Sequence, residues 1–192
     1  MGNLKSHSKY SQFRFDANSI ALNFVATVRH RGSQSRDLLE MPEAFVVWLK
    51  IIGFNTCPVH ISSKEHLYAL QLREAIFRTV RSFILPYSPS SHDFNLINES
   101  ARFPVAVPQL RIDTHLVNWE TSDPVKACLS AIARDAILIT SHTERSRLKM
   151  CNDNGCQMLF RDISPNNRRR WCSMSICGNR MKVSLHRQGK NR

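Results

Sequence analysis

Apolar residues recur at helical spacing through much of the first 140 positions. One such stripe predicts a helix over residues 17–29. Pro42 in a first turn and Gly53 after a last turn bound a second predicted helix. We interpret these stripes as the core of a mainly helical N-terminal domain, because no cofactor-binding motif accompanies them.

Three further helices have start or stop signals in the sequence. Ser62 and Glu65 have the spacing of a capping box, and the helix that they start should end before Pro86. A short helix is predicted around residues 93–100, and Asp123–Pro124 is a favourable start for the last one.

Between these helices, residues 103–119 alternate between apolar and polar positions, which predicts two short strands or an irregular hairpin. We therefore expect an α+β fold, with a mainly helical N-terminal domain that includes a small β element, and a small module after it. The predicted domains are residues 1–145 and 146–192.

The positive charge of the chain is concentrated in its last quarter. The whole sequence has 27 Lys and Arg against 15 Asp and Glu, a net charge of +12. Residues 141–192 hold 12 of those basic residues and 3 of the acidic ones, so their net charge is +9. Such a concentration favours a polyanion as partner, although a solvated tail would have the same charge.

Four cysteines within the same segment have the spacing of a structural zinc site. Cys151 and Cys156 are separated by four residues, fifteen residues intervene, and Cys172 and Cys177 are again separated by four. Each short loop can bring two thiolates to one side of a Zn²⁺ ion, and the spacer can return to complete the tetrahedron. Four unrelated buried thiols are the alternative, but so small a module could hardly fold without a metal.

The spacer between the cysteine pairs is expected to form a hairpin. Residues 157–161 read as one strand, residues 162–167 supply turn-forming side chains, and residues 168–171 read as a returning strand. A helix is predicted after Gly178. A knuckle (the loop from Cys151 to Cys156), a hairpin and a helix in this order favour a treble-clef-like finger.

Other classes of function have less support in the sequence. Cys57 and Cys128 are interpreted as idle or buried thiols. A site closed by four cysteines leaves no position for water on the metal, and no phosphate loop or nucleophile elbow is present, so we expect no enzyme. A redox-sensing zinc site is a minor alternative. The absence of a long apolar run and of a secretory signal predicts a cytoplasmic protein without a membrane span.

The residues around the cysteines resemble the CGNR zinc-finger family. The sequence Cys177-Gly178-Asn179-Arg180 is the family signature, and Arg169-Arg170-Trp171-Cys172 also matches. Leu22–Val28 is similar to the opening of the ABATE domain that precedes this finger in bacterial proteins, with departures at Asn23 and Ala26. The resemblance implies a stress-induced transcription regulator.

Basic residues near the zinc site are the predicted nucleic-acid contacts. Arginines before Cys172 suit phosphate oxygens and guanine edges, and basic residues after Cys177 recur along the predicted helix. The candidates are Arg168, Arg169, Arg170, Arg180, Lys182, His186, Arg187 and Lys190. DNA is the favoured partner. RNA, and a protein-interaction module without nucleic acid, are the alternatives, and the sequence leaves a homodimer open.

Overall fold

A computed structural model describes residues 12–54, 56 and 59–190, with the side chains of 185 and 188–190 left out of the description. Within this part of the chain there are six α-helices and three two-stranded antiparallel sheets. The helices are α1 Ile20–Val25, α2 Pro42–Ile51, α3 Ser63–Ile84, α4 Ser91–Ala101, α5 Pro124–Ile139 and α6 Asn179–Lys190. The strands are β1 Val28–Arg29, β2 Arg36–Asp37, β3 Val107–Leu110, β4 Val117–Glu120, β5 Leu148–Met150 and β6 Leu159–Arg161. The expected α+β class is confirmed.

Helices α2 to α6 lie where the sequence predicted them. The Ser62 hydroxyl accepts a hydrogen bond from the Glu65 N–H, and the Glu65 carboxylate accepts one from the Ser62 N–H, so the capping box is formed. The prediction of one helix over residues 17–29 is wrong. Helix α1 ends at Val25, because the next residues turn and enter β1, which pairs with β2.

The core lies where α1, α2, α3 and α5 meet. Phe24, Phe45 and Trp48 are fully buried, and the ring centroids of Phe24 lie 5.5 Å from Phe45 and 5.1 Å from Trp48. Such tilted aromatic contacts bury large apolar area in a fixed geometry. Cys128 of α5 is also buried here, as predicted, while Cys57 lies outside the described residues.

A network of charged side chains joins α3 to the β1–β2 loop. Arg73 is 3% exposed and donates to both carboxylate oxygens of Asp37, at 2.7 and 2.6 Å. Arg31, in the loop, forms a two-bond pair with Glu74 at 2.9 Å and lies over the ring of Phe77. Burial tends to raise the pKa of the Asp37 carboxyl, but hydrogen bonding and charge from Arg73 outweigh it and hold that pKa below its usual range. The pairs fix the loop on α3.

That loop rests directly on the segment that contains the four cysteines. A Cβ atom on Gly32 would lie 1.8 Å from the backbone oxygen of Asn154, so only glycine fits this approach. On the other side of the finger, the Arg161 N–H donates to Ala17 O and the Asn18 side chain donates to Arg161 O, both at 2.9 Å. One buried hydrophobic cluster contains residues of the helices and of the finger together. The division near residue 145 stays a prediction.

The predicted hairpin within the finger is wrong in its pairing. Strand β6 pairs with β5, which precedes Cys151, whereas residues 168–171 form no strand. The N–H of Arg169 donates to the Asp162 carboxylate rather than to a strand, and the Arg170 carbonyl accepts from Asn152 N–H. Alternation along a strand therefore does not set the directions of the arginines.

The β3–β4 hairpin was predicted, but its exposure was not. Every residue of both strands is exposed, and Ile112 in the connecting turn is 92% exposed. Among the described helices, none combines the length and the apolar character that crossing a membrane requires.

Candidate metal centre and nucleic-acid interface

Four cysteines from three parts of the finger meet at one buried point. Cys151 follows β5, Cys156 lies in the tight turn before β6, Cys172 precedes a helical turn, and Cys177 lies within that turn, which leads into α6. Their sulfur atoms all lie within 4.8 Å of one another. The Cys172 Sγ is 3.7 Å from that of Cys156 and 3.6 Å from that of Cys177. A tetrahedral Zn²⁺ with bonds of about 2.3 Å requires sulfurs about 3.8 Å apart, so the cluster fits this ion.

The ionisation of these thiols shows why the cluster needs a cation. Hydrogen bonds from Cys156 and Cys172 lower the pKa of Cys151 to about 2. Hydrogen bonding to Cys151 raises the pKa of Cys172, and burial together with the neighbouring thiolates raises the pKa of Cys177 to about 12. One thiolate thus opposes the ionisation of the others, and four can coexist only around a neutralising ion.

The four cysteines are therefore positioned to bind one metal ion, consistent with a single structural Zn²⁺. When bound, zinc would supply the charge that keeps all four thiolates ionised and cross-link the knuckle to the segment before α6. Four protein ligands leave no position on the ion for water, as in structural sites.

A buried aspartate holds the chain between the two cysteine pairs. Asp162 is fully buried, and its carboxylate accepts hydrogen bonds from Ser164 N–H at 2.9 Å, Arg169 N–H at 2.8 Å and Lys149 Nζ at 2.8 Å. Burial by itself would raise the pKa of Asp162, but these donors outweigh it and hold the pKa well below its usual range. Sequence analysis placed Asp162 in a turn but missed its burial and its three donors, although aspartate two positions before serine at a turn is a known signal for such a carboxylate.

A second buried aspartate belongs to the knuckle itself. Asp153 accepts a hydrogen bond from Gly155 N–H at 3.1 Å, and its other carboxylate oxygen lies 3.1 Å from a guanidinium nitrogen of Arg180. Arg180 thereby joins the first turn of α6 to the knuckle. This is a structural role for a residue predicted to contact nucleic acid, and the predicted contact stays untested.

Arg169 also has its partners within the finger. Its guanidinium donates to the carbonyl oxygens of Trp171 and Cys172 and lies 4.8 Å from the centroid of the Phe160 ring. Phe160 itself is fully buried. Arg169 therefore supports the backbone beside Cys172, and its predicted contact with nucleic acid likewise remains a prediction.

The other candidate residues are turned to solvent. The described ones are Arg168, Arg170, Lys182, His186 and Arg187, and these five are here called the basic face. Arg170 and Lys182 line one cleft of about 510 Å³ beside the knuckle, so the arginine segment and α6 do meet. The side chain of Lys190 lies outside the described residues.

Charge within the finger is divided between its inside and its surface. All three acidic residues after position 140 are paired: Glu144 with Arg161, Asp153 with Arg180 and Asp162 with Lys149. None of them neutralises the basic face. The positive charge that the sequence places in this segment is therefore available to a partner at that surface.

The two departures from the ABATE pattern lie where α1 meets the finger. The Asn23 side chain accepts a hydrogen bond from Ala17 N–H at 3.2 Å, and the Ala17 carbonyl accepts one from Arg161 N–H. Ala26 is 3% exposed. Asn23 therefore has a structural role, as it orders the segment against which β6 rests.

Replacing one sulfur ligand should abolish metal binding. For Cys172→Ser we expect the zinc content of the purified protein to fall from about one ion per chain to near zero, with a lower melting temperature, because a three-thiolate site binds zinc far more weakly. Elemental analysis and thermal unfolding measure both. The buried Cys128→Ala is the control and should keep its zinc, so similar losses in the two variants would contradict the assignment.

Removing the charge of Asp162 should destabilise the finger. We expect Asp162→Asn to lower the free energy of unfolding by about 3 kcal/mol at neutral pH, because Lys149 and the Arg169 N–H lose a buried acceptor. The exposed Asp113→Asn is the control and should change it by less than about 0.5 kcal/mol.

The pH dependence of that difference follows from the lowered pKa of Asp162. A carboxyl whose pKa is lower in the folded than in the unfolded protein stabilises the fold above its ordinary pKa, and the effect is lost only as the pH falls towards the lowered value. The difference between wild type and Asp162→Asn should therefore stay constant from about pH 8 to about pH 5 in urea denaturation. A difference that shrinks within this range would contradict the proposed cause.

Two family models match the chain. The CGNR zinc-finger model covers residues 147–190, and the ABATE model, described as "Putative stress-induced transcription regulator", covers residues 18–142. A comparison with curated proteins finds no match. The resemblance seen in the sequence is thereby confirmed in both parts, and both families are regulator or zinc-finger types. Since the second model spans well over half of the sequence, this chain belongs to the ABATE family and carries a C-terminal CGNR zinc finger.

Proposed function

We propose that this protein is a transcription regulator that recognises DNA sequences through the basic face of its zinc finger. The observation that carries the proposal is the cleft beside the knuckle, where Arg170 and Lys182 come from different segments and line one surface. A surface with exposed arginines on a loop and basic residues along a helix suits a duplex, in which side chains contact both phosphates and base edges.

Each part of the basic face has a separate expected role. Arg168 follows the turn held by Asp162 and is exposed, which suits a phosphate contact. Lys182 and His186 lie one turn apart on α6, and both are exposed, so this side of the helix can approach base edges in a major groove.

RNA is a weaker alternative for this site. Recognition of single-stranded RNA relies on exposed aromatic rings on which bases stack. Trp171 is only partly exposed, packs against the buried core and has the Arg170 guanidinium 5.0 Å from its ring centroid. A pure protein-interaction role would be favoured if the arginines were buried against the helices, whereas Arg168 and Arg170 are exposed.

The test is selection from a randomised duplex DNA pool at physiological salt with the full zinc-loaded chain. We expect an enriched sequence, because specific recognition persists where unspecific attraction to a basic protein is screened. The double variant Arg168→Gln/Arg170→Gln should bind that sequence more weakly, and the slope of log K against log salt should fall by about two.

The matched control removes the same charge elsewhere. Arg81 and Arg102 lie in the helical part of the chain. The double variant Arg81→Gln/Arg102→Gln should keep the wild-type affinity for DNA and the wild-type slope of log K against log salt. Retention of every sequence alike, or an equal loss in both double variants, would remove the DNA-binding proposal and favour RNA or protein partners.

We also propose a homodimer, formed through the β3–β4 hairpin. A two-stranded hairpin is marginally stable by itself, and this one exposes seven apolar side chains. They are Val105, Val107, Leu110, Ile112, Leu116, Val117 and Trp119, with exposed fractions of 40–92%. Leu110, Val117 and Trp119 share one face of the hairpin, because Leu110 is opposite Val117 and Pro108 is opposite Trp119.

A second copy is the occupant that the hairpin itself favours. Strand β4 contains no proline and leaves one edge unpaired, so two copies can pair β4 with β4 about a two-fold axis. On the other strand, Pro108 lacks the N–H that edge pairing needs. The two hairpins would then form one four-stranded sheet, in which the apolar side chains on one face of each hairpin lie side by side.

Charges on the hairpin should prevent this association. We expect the wild type to sediment as a dimer at micromolar concentration and Ile112→Glu/Leu116→Glu to sediment as a folded monomer, since both side chains are exposed. Leu67→Glu/Leu138→Glu introduces the same charges on exposed positions of α3 and α5 and should remain dimeric. A monomeric wild type would end this proposal.

A further inference from the structure

A cleft of about 320 Å³ opens between α3, α4 and α5, on the helical part of the chain. Its walls are mainly apolar and include Ile76, Val80 and Phe83 of α3, Phe94 and Ile97 of α4, and Ile137 of α5. The rings of Phe83 and Phe94 lie nearly parallel, at 28°, with centroids 6.3 Å apart. The volume falls at the lower end of the range for small-molecule sites, about 300–1,000 Å³, and the two rings favour a flat aromatic guest.

A hydroxyl without a partner lies in the wall of this cleft. Thr79 is 5% exposed, and its Oγ1 has no hydrogen-bond partner within the described part of the chain. Buried polar groups are nearly always paired, because an unpaired one has lost its water without replacement. A ligand that presents a hydroxyl at this position would supply the missing bond.

A cation is held at the edge of the same cleft. The Arg145 guanidinium carbon lies 4.0 Å from the centroid of the Phe83 ring, and its Nε and one terminal nitrogen donate to Thr140 O at 3.3 and 3.2 Å. These contacts fix the plane of the guanidinium, and its other terminal nitrogen has no partner within the described part of the chain. A carboxylate is the planar anion that a fixed guanidinium binds best.

The acids nearest to this cation in the sequence and on α4 are already engaged. Glu144 pairs with Arg161 at 2.6 Å, and Asp93 of α4 is 2% exposed and pairs with Arg78 at 2.6 Å. Arg145 takes part in none of the ion pairs found among the described residues. Its charge is therefore not neutralised by the protein.

From these three features we infer that the cleft between α3, α4 and α5 binds a small aromatic carboxylate. The ligand's ring contacts the apolar walls, its carboxylate meets Arg145 at the edge, and a hydroxyl at its far end bonds to Thr79. This site is separate from the metal centre and goes beyond the proposed DNA binding.

The position of Arg145 places the site beside the finger. Arg145 lies in the turn that leads into β5, and two residues later Arg147 donates to the carbonyl oxygens of Asp162 and Ser164. A carboxylate on Arg145 thus contacts the segment that connects the helices to the metal centre.

The test is calorimetric titration of the full zinc-loaded chain with 2-naphthoate and with 6-hydroxy-2-naphthoate, without DNA. We expect saturable binding of one ligand per chain, tighter by roughly tenfold for the hydroxylated compound. Arg145→Gln should weaken both ligands by about tenfold or more. Thr79→Val has nearly the same shape as the wild type and should abolish the advantage of the hydroxylated ligand alone.

The control is Arg102→Gln, which removes an equal charge from an exposed position at the end of α4 and should leave both affinities unchanged. No saturable binding, equal weakening by Arg102→Gln and Arg145→Gln, or an advantage that survives Thr79→Val would each overturn the inference. Because no nucleic acid is present, a failure of the DNA-binding proposal would not affect the result.

Discussion

Four thiolates can share one small volume only around a cation, and most of the finger is arranged by that requirement. Two of the ligands flank the tight knuckle between β5 and β6, whereas Cys172 and Cys177 follow a loop that has to return to the same point. Fifteen residues lie between Cys156 and Cys172, and the buried Asp162 shortens this path by binding the N–H groups of Ser164 and Arg169. The metal and the carboxylate together replace the larger apolar core that so short a segment lacks.

The same requirement sorts the basic residues into two groups. Arg169 and Arg180 are close in sequence to Cys172 and Cys177, and their guanidinium groups bind carbonyl or carboxylate oxygens that support the knuckle. Arg168, Arg170 and Lys182 have no acid as partner among the described residues and remain at the surface. Each acidic residue after position 140 is paired with a basic residue outside the basic face. The basic face therefore has no opposing charge from these acids, which is the condition for attracting a polyanion.

The finger does not stand apart from the helices. Arg73 and Glu74 on α3 fix the β1–β2 loop, and Gly32 in that loop touches the knuckle through its backbone. A loss of metal would consequently displace the β1–β2 loop, and a shift of α3 would displace the knuckle. This coupling gives the helical part a physical route to the basic face, since packed elements transmit displacement rather than absorb it.

Sequence patterns by themselves determined the features that depend on near neighbours. The capping box at Ser62 and the helix start at Pro124 are local signals that predicted their helices, and the cysteine spacing predicted which four thiols lie together. The pairing of β6 was mistaken because the strand propensity of residues 157–161 is local, whereas the choice between residues 148–150 and 168–171 depends on the carboxylate of Asp162, which takes the Arg169 N–H. The roles of Arg169 and Arg180, the fit of Gly32 against the knuckle and the cleft beside Thr79 depend on contacts between distant segments. No periodicity in the chain encodes such contacts, because burial and charge pairing are properties of the packed molecule, and only the tertiary structure decided them.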